Sequence, residues 1–266
     1  MSANAERLLQ EAEFFDRCAE EVEKTLKPLN PAVLRRYAAA RGLYPKEFCF
    51  KLLGDPRGKK VLDVGCGDGG DAVILAKLGA KVVGLDVSPR SIALAKRRAG
   101  LDGVADRVSF ICAPLGVELP ETGFDVIWID NVLHHVLDEL DAVLKSLFRA
   151  ARPGAQVICA EPMNLNPTLR RIRFLVPVHT EHTPGERPLE RHDLAIVERN
   201  LPDLQRRHFR FLARLTRFVL PDHQYERASW PQRVACDALA LLDSAILALP
   251  GLDDLGGMAV LYGRVP

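Results

Sequence analysis

The chain has 266 residues, enough for one large domain or for one domain carrying a substantial insertion, and not for two equal domains. At 48% hydrophobic, 27% charged and 6% aromatic, its composition excludes the disordered, collagen-like and disulfide-scaffold classes. The 36 Lys and Arg nearly cancel the 35 Asp and Glu, and a net charge of +1 gives no whole-molecule field for nucleic acid or an anionic membrane, so neither is an expected partner.

Met1 to Gln10 contains Glu6 and Arg7 and no apolar run, which argues against a signal peptide. From Ala5 to Lys27 the apolar residues recur at the spacing of one helix face, and Ala32 to Ala40 and Tyr44 to Leu53 read as two further helices. From Lys60 the pattern changes to short apolar runs at Val61–Val64, Lys81–Leu85, Val108–Cys112, Phe124–Ile129 and Gln156–Ala160, with helical stretches Asp71–Leu78, Ser88–Ala99 and Leu137–Ala150 between them. This alternation is the mark of a doubly wound α/β sheet, parallel and covered on both faces. A proline-rich connection follows from Glu161 to Glu190, then a helix Arg191–Asn200, a strand Gln205–Leu212, a mainly helical insertion to about Leu255 and a last strand Met258–Val265, which pairs antiparallel with its predecessor at an edge. Val234–Leu249 is apolar but short and carries Asp237 and Asp243, so it reads as a buried helix and not a membrane span. The six cysteines form no C-x-x-C pair, which speaks against a zinc or redox motif and for a reducing, cytoplasmic location.

The most informative stretch is Val61-Leu62-Asp63-Val64-Gly65-Cys66-Gly67-Asp68-Gly69-Gly70, which leaves a strand and opens a helix. Its glycines let the backbone turn sharply and approach a ligand. Gly65, Gly67 and Gly70 satisfy G-x-G-x-x-G, so an NAD-dependent oxidoreductase is one reading. Asp63 opposes it, because a carboxylate beside the first glycine repels a pyrophosphate and suits a cofactor bearing an ammonium and a sulfonium. Asp86, about 20 residues on, is placed to accept both hydroxyls of a ribose.

With Gly84-Leu85-Asp86-Val87-Ser88, Phe124-Asp125-Val126-Ile127-Trp128, Asn131-Val132-Leu133-His134-His135-Val136 and Arg152-Pro153-Gly154, the chain resembles the class I S-adenosylmethionine-dependent methyltransferases, within them the broad small-molecule group. The resemblance spans about residues 55 to 165. It implies a Rossmann-like seven-stranded sheet with a reversed last strand; with the elements read above, the chain divides into an N-terminal helical cap (1–56), a cofactor-binding core (57–162), and a lid, helical insertion and final strands (163–266). It also implies that S-adenosyl-L-methionine is the cofactor, with Gly65, Cys66 and Gly67 against its methionine part, Asp63 near its amino group, and Asp86 with Val87 at the ribose. Where many relatives carry a Gly-Asp pair for the adenine, this chain has Cys112-Ala113-Pro114-Leu115, so Ala113, Pro114 and Leu115 are expected to offer backbone and van der Waals contact only. Asp130 and Asn131 are expected to touch the cofactor through backbone groups.

Methyl transfer from a sulfonium needs an aligned acceptor and, for an oxygen acceptor, a group to take its proton. His134 and His135, after the fourth strand, are the candidate bases, His135 first; the alternative is that one of them packs the following helix. Glu161, Asn164, His179, Glu181, His182, Glu186 and Arg187 form a second cluster, read as a lid whose charges pair among themselves in preference to a metal site, and no metal is expected. The apolar segment Phe218–Leu255 either walls a pocket for a hydrophobic acceptor or buries itself. The function expected is methyl transfer to a small organic acceptor, at oxygen, by a monomer or homodimer; the rivals are a catalytically silent cofactor-binding scaffold and the NAD enzyme.

Overall fold

The computed structural model describes residues 3–169, 186–220 and 224–266. Three helices, α1 (Ala3–Glu23), α2 (Pro31–Ala39) and α3 (Pro45–Leu53), precede the sheet. The alternating region folds as β1 (Lys60–Val64), α4 (Gly70–Lys77), β2 (Lys81–Asp86), α5 (Pro89–Leu101), β3 (Val108–Cys112), β4 (Phe124–Asp130), α6 (Leu140–Ala150) and β5 (Ala151–Pro162). After the connection come α7 (Arg191–Asn200), β6 (Gln205–Phe209), α8 (Trp230–Leu247) and β7 (Met258–Arg264). The helix starts follow local chemistry. Ser88 caps α5 by accepting from Ser91 N, with Pro89 in the first turn, and Asn30 caps α2 by accepting from Ala32 N, ahead of Pro31.

All seven strands form one sheet in the order β3-β2-β1-β4-β5-β7-β6. The first five are parallel, and β7 runs antiparallel between β5 and β6. Strand alternation divides the core in two. Leu62, Val64, Ile127 and Ile129 face Leu140, Leu144, Leu147 and Leu194 on one side. Val61, Val126, Trp128 and Ile158 face Phe48, Phe50, Leu53 and Leu75 on the other. Each fully buried side chain of this size contributes about 1.5–3 kcal/mol, so the layers tolerate the carboxylates buried at the strands' carboxyl ends.

The last two strands form the expected antiparallel pair at one edge, with β7 between β5 and the edge strand β6. One expectation is corrected. The helix at 230–247 is not buried, since Trp230, Leu241 and Leu242 are 76%, 62% and 55% exposed and only Cys236, Ala240, Asp243 and Leu247 are covered. Its inner side is held mainly by polar contacts. Asp243 Oδ1 accepts from the backbone of Phe211, Leu212 and Ala213, and Asp237 accepts from Tyr44, Tyr225 and Arg41 at 2.9 Å each. Arg36 lies over the rings of Tyr44 and Tyr225 and bonds both the buried Glu47 and Glu226, fastening the cap helices to the insertion.

Burial raises the Asp237 carboxyl, but the hydrogen bonds from Arg41 and the two tyrosines outweigh it and hold the group below the usual aspartate range. A lowered folded value means stability that is present above the unfolded value near pH 3.9 and lost as pH falls through the folded one. Asp237→Asn is therefore expected to cost about 1–2 kcal/mol at pH 7 and to shrink that difference below about pH 4, which urea unfolding at both pH values measures.

Candidate active site at the carboxyl ends of the central strands

The loop after β1 turns back over the sheet. Gly65 (φ 62°) has no room for a Cβ, which would come within 2.5 Å of Val132 Cγ2. Gly69 (φ 76°) admits α5, where a Cβ would approach Ala95 Cβ at 2.8 Å. The loop is pinned by Cys66 N donating to Leu85 O (3.0 Å) and by Gly67 N donating to Asp86 Oδ2 (2.8 Å). Asp86 Oδ1 accepts from Ser88 N (2.9 Å). Burial raises the Asp86 carboxyl, and these backbone donors work against that rise. A carboxylate has about four acceptor sites, so two remain for other donors.

Asp63 is buried at the end of β1, and its Oδ2 has no hydrogen-bond partner. Burial first and the neighbouring Asp71 second push its carboxyl well above the usual range, with Lys46 opposing. Lys46, from α3, bridges Asp71 Oδ1 (2.9 Å) and Asp130 Oδ2 (2.8 Å), and Trp128 Nε1 donates to Asp71 Oδ2 (3.1 Å). Lys46 thus bridges two carboxylates, and Asp63 feels its charge without a bond to it. Asn131 adopts φ 59°, with its N–H on Ala160 O (2.8 Å) and its side-chain amide on Asp130 Oδ1 (2.7 Å), which turns the chain toward the histidine pair.

His134 is buried and donates Nδ1–H to Glu161 Oε2 at 2.8 Å, while Glu161 Oε1 accepts from Val132 N and Leu133 N at 2.7 Å each. Glu161 fixes the tautomer, so Nε2 carries the lone pair and faces Glu186 Oε1 at 3.6 Å. Burial acts to lower the His134 value, but the Glu161 bond and charge outweigh it and the net shift is upward. His135, stacked on His134 with ring centroids 4.2 Å apart, is pushed down to about 4, by burial first and by the His134 charge second. Helix α1 closes this side: Phe15 meets the His135 ring edge-on, Glu11 Oε1 lies 3.6 Å from His135 Nδ1, and Arg7 donates to His135 O. Farther along α1, Asp16 accepts from Ser88 Oγ and Arg90 N, so one helix spans both ends of the cleft.

The fold therefore brings Asp63, Gly65, Cys66, Gly67, Asp86, Val87, Asp130, Asn131, His134 and His135 to one rim of the sheet. Ala113 lies there too, with its N–H on Asp86 O, and Leu115 packs on the core; both are half-buried, as is Pro114. The second sequence cluster divides. Glu161 and Glu186 join the histidines, Arg187 turns away to Asp193, and His179, Glu181 and His182 lie outside the described residues. Glu11, Lys46 and Asp71 are site residues that no motif marks.

A parallel sheet with a reversed β7, a glycine loop over β1 and an acidic end to β2 define the Rossmann-like fold of class I methyltransferases. Residues 62–159 match the family model described as a methyltransferase domain. The methyltransferase GfsG of Streptomyces halstedii is 39% identical over 43% of this chain and 42% of its own length. The ubiquinone biosynthesis O-methyltransferase of Methylocella silvestris is 34% identical over 63% and 65%. The chain thus spans less than two thirds of these relatives' length. A solved structure of the magnesium protoporphyrin IX methyltransferase of Synechocystis, with bound S-adenosylhomocysteine, shares the fold at a TM-score of 0.51 and 20% identity, over 71% of this chain and 86% of that one. Residues 62–159 are a class I S-adenosylmethionine-dependent methyltransferase domain.

Proposed function

We propose that the protein transfers the methyl group of S-adenosylmethionine to an oxygen of a small organic acceptor. The observation that carries the reading is Asp63, a buried carboxylate with an unpartnered oxygen at the end of the central strand. Such a group is a socket for an ammonium, and a pyrophosphate in its place meets repulsion. The residues present fit S-adenosylmethionine: Asp63 for the amino group, the 65–67 backbone for the methionine part, and the remaining acceptor sites of Asp86 for the ribose. When bound, that cofactor supplies a methyl already activated on a sulfonium.

The chain's own task is to hold the acceptor and take its proton. His134 suits this better than His135. Its Nε2 is kept basic and oriented by a buried carboxylate, as in histidine–carboxylate pairs generally, whereas a nitrogen that protonates only near pH 4 is a weak proton acceptor. Phe15, edge-on to His135, suits an acceptor that can be hydrophobic or flat. Oxygen as the methylated atom agrees with the O-methyltransferases among the relatives. The buried thiols of Cys49, Cys66, Cys159 and Cys236 support a reducing, cytoplasmic setting, and no helix of the described residues is long and apolar enough to cross a membrane.

Calorimetric titration with S-adenosylhomocysteine, with NAD as control, tests the cofactor, and transfer of labelled methyl to a panel of phenols tests the reaction. The expected result is binding of the first ligand alone and label in an ether product. Binding of NAD instead overturns the reading, and cofactor binding without transfer to any acceptor favours the silent scaffold.

A further inference from the structure

On the acceptor side of the cleft, carboxylates and imidazoles from three separate parts of the chain converge. One nitrogen of His134, one of His135 and one carboxylate oxygen of Glu186 lie within 4.8 Å of one another. His134 Nε2 is 3.6 Å from Glu186 Oε1, and His135 Nδ1 is 3.8 Å from Glu186 Oε2 and 3.6 Å from Glu11 Oε1. Four ligands at bonds of about 2.1 Å around a tetrahedral ion stand about 3.4 Å apart, and the separations of 3.6, 3.8 and 3.6 Å lie within a few tenths of an ångström of that.

Three further observations favour a cation. The side chains of His134, His135, Glu11 and Glu186 are at most 17% exposed, unlike an ordinary surface cluster of acids. Three carboxylates, Glu11, Glu161 and Glu186, meet there, with Arg7 3.7 Å from Glu11, and negative charge of this kind favours a dication. Glu161 holds the Nδ1–H of His134 and aims Nε2 into the cluster, which is how outer carboxylates orient metal-bound histidines.

We propose that His134, His135 and Glu186, with Glu11 as fourth donor, form a binding site for a divalent first-row transition ion of the zinc type. Two imidazoles with two carboxylates suit such an ion better than magnesium or calcium, which prefer all-oxygen shells. Distance along the chain hid the site, because Glu11 and Glu186 are far from the histidine pair in sequence and meet it only in the fold. The site does not depend on the methyl-transfer reading, though the two compete for one atom: an ion bound at His134 Nε2 would occupy the lone pair that the proposed base uses.

The test uses the full, untagged chain stripped with a chelator. Calorimetry with Zn2+ and the visible absorption of Co2+ read the metal, and S-adenosylhomocysteine titration in the same samples reads the cofactor site and the fold. One equivalent of Zn2+ should bind, more than about tenfold more weakly in His135→Ala and Glu186→Gln, and unchanged in His192→Ala on the surface. Glu11→Gln, which removes a charge with little change in shape, should weaken binding in the same direction. Absence of stoichiometric Zn2+ binding, or binding that Glu186→Gln and His135→Ala leave intact, overturns the site. If that happens while S-adenosylhomocysteine still binds, the methyltransferase reading stands alone; a metal bound without the cofactor upholds the ion site and counts against the methyltransferase reading.

Discussion

Glu161→Gln is expected to lower turnover about 10²–10³-fold while leaving S-adenosylhomocysteine affinity within a few fold. Glu161 is fully buried and accepts from two backbone N–H groups and the His134 ring. Glutamine keeps an oxygen for the backbone donors but presents an amide N–H to His134 Nδ1. That inverts the imidazole: Nδ1 becomes the acceptor and Nε2 carries the proton, so the nitrogen facing the acceptor side can no longer take one. The same inversion disables Nε2 as a metal ligand. Steady-state rates with a methylatable acceptor, alongside cofactor titration and a melting curve, check this. Unchanged turnover would remove His134 from the chemistry, and a large drop in melting temperature would mark Glu161 as structural alone.

Asp86→Ala is expected to weaken S-adenosylhomocysteine binding by about 2–3 kcal/mol, roughly 30- to 150-fold. The carboxylate acts twice, through contacts the structure shows and through those proposed. It fixes the glycine loop through Gly67 N and the start of α5 through Ser88 N, and its remaining acceptor sites are those assigned to the ribose. Asp86→Asn separates the roles, since the amide oxygen can keep one backbone donor while the charge is lost. It should fall between wild type and alanine in calorimetry. An alanine variant that binds as tightly as wild type would mean that the ligand lies elsewhere.

Much of this architecture is legible in the sequence because it obeys local rules. Apolar runs such as Val61–Val64 and Val82–Leu85 have a pattern that suits a buried parallel strand, and the glycines of 65–70 mark a turn by their backbone freedom. Asp63 and Asp86 are found because they sit at fixed steps from that turn. The rest depends on contacts between distant segments. Nothing near Lys46 announces that it will sit between Asp71 and Asp130, and nothing near Glu11 that α1 will carry it to His135. Glu161 is visible as a carboxylate after a strand, but its task comes from the neighbouring strand, which delivers His134 to it. The exposure of α8 escapes for a related reason: an apolar segment reads as buried, yet here Asp237 and Asp243 supply the inward contacts.

Among the described residues, strand β6 is hydrogen-bonded to another strand on one side only, and an open edge of this kind invites another extended chain to add itself. Its five residues, Gln205-Arg206-Arg207-His208-Phe209, discourage that. Arg206 is exposed and reaches Glu198, and Arg207 lies over the rings of Phe48 and Phe209 and bonds Ser244. At Arg210 the backbone swings to φ 63° and ends the ladder. An incoming strand would find a short template, an arginine to desolvate and a bend where pairing should continue, so the sheet stops growing at seven strands.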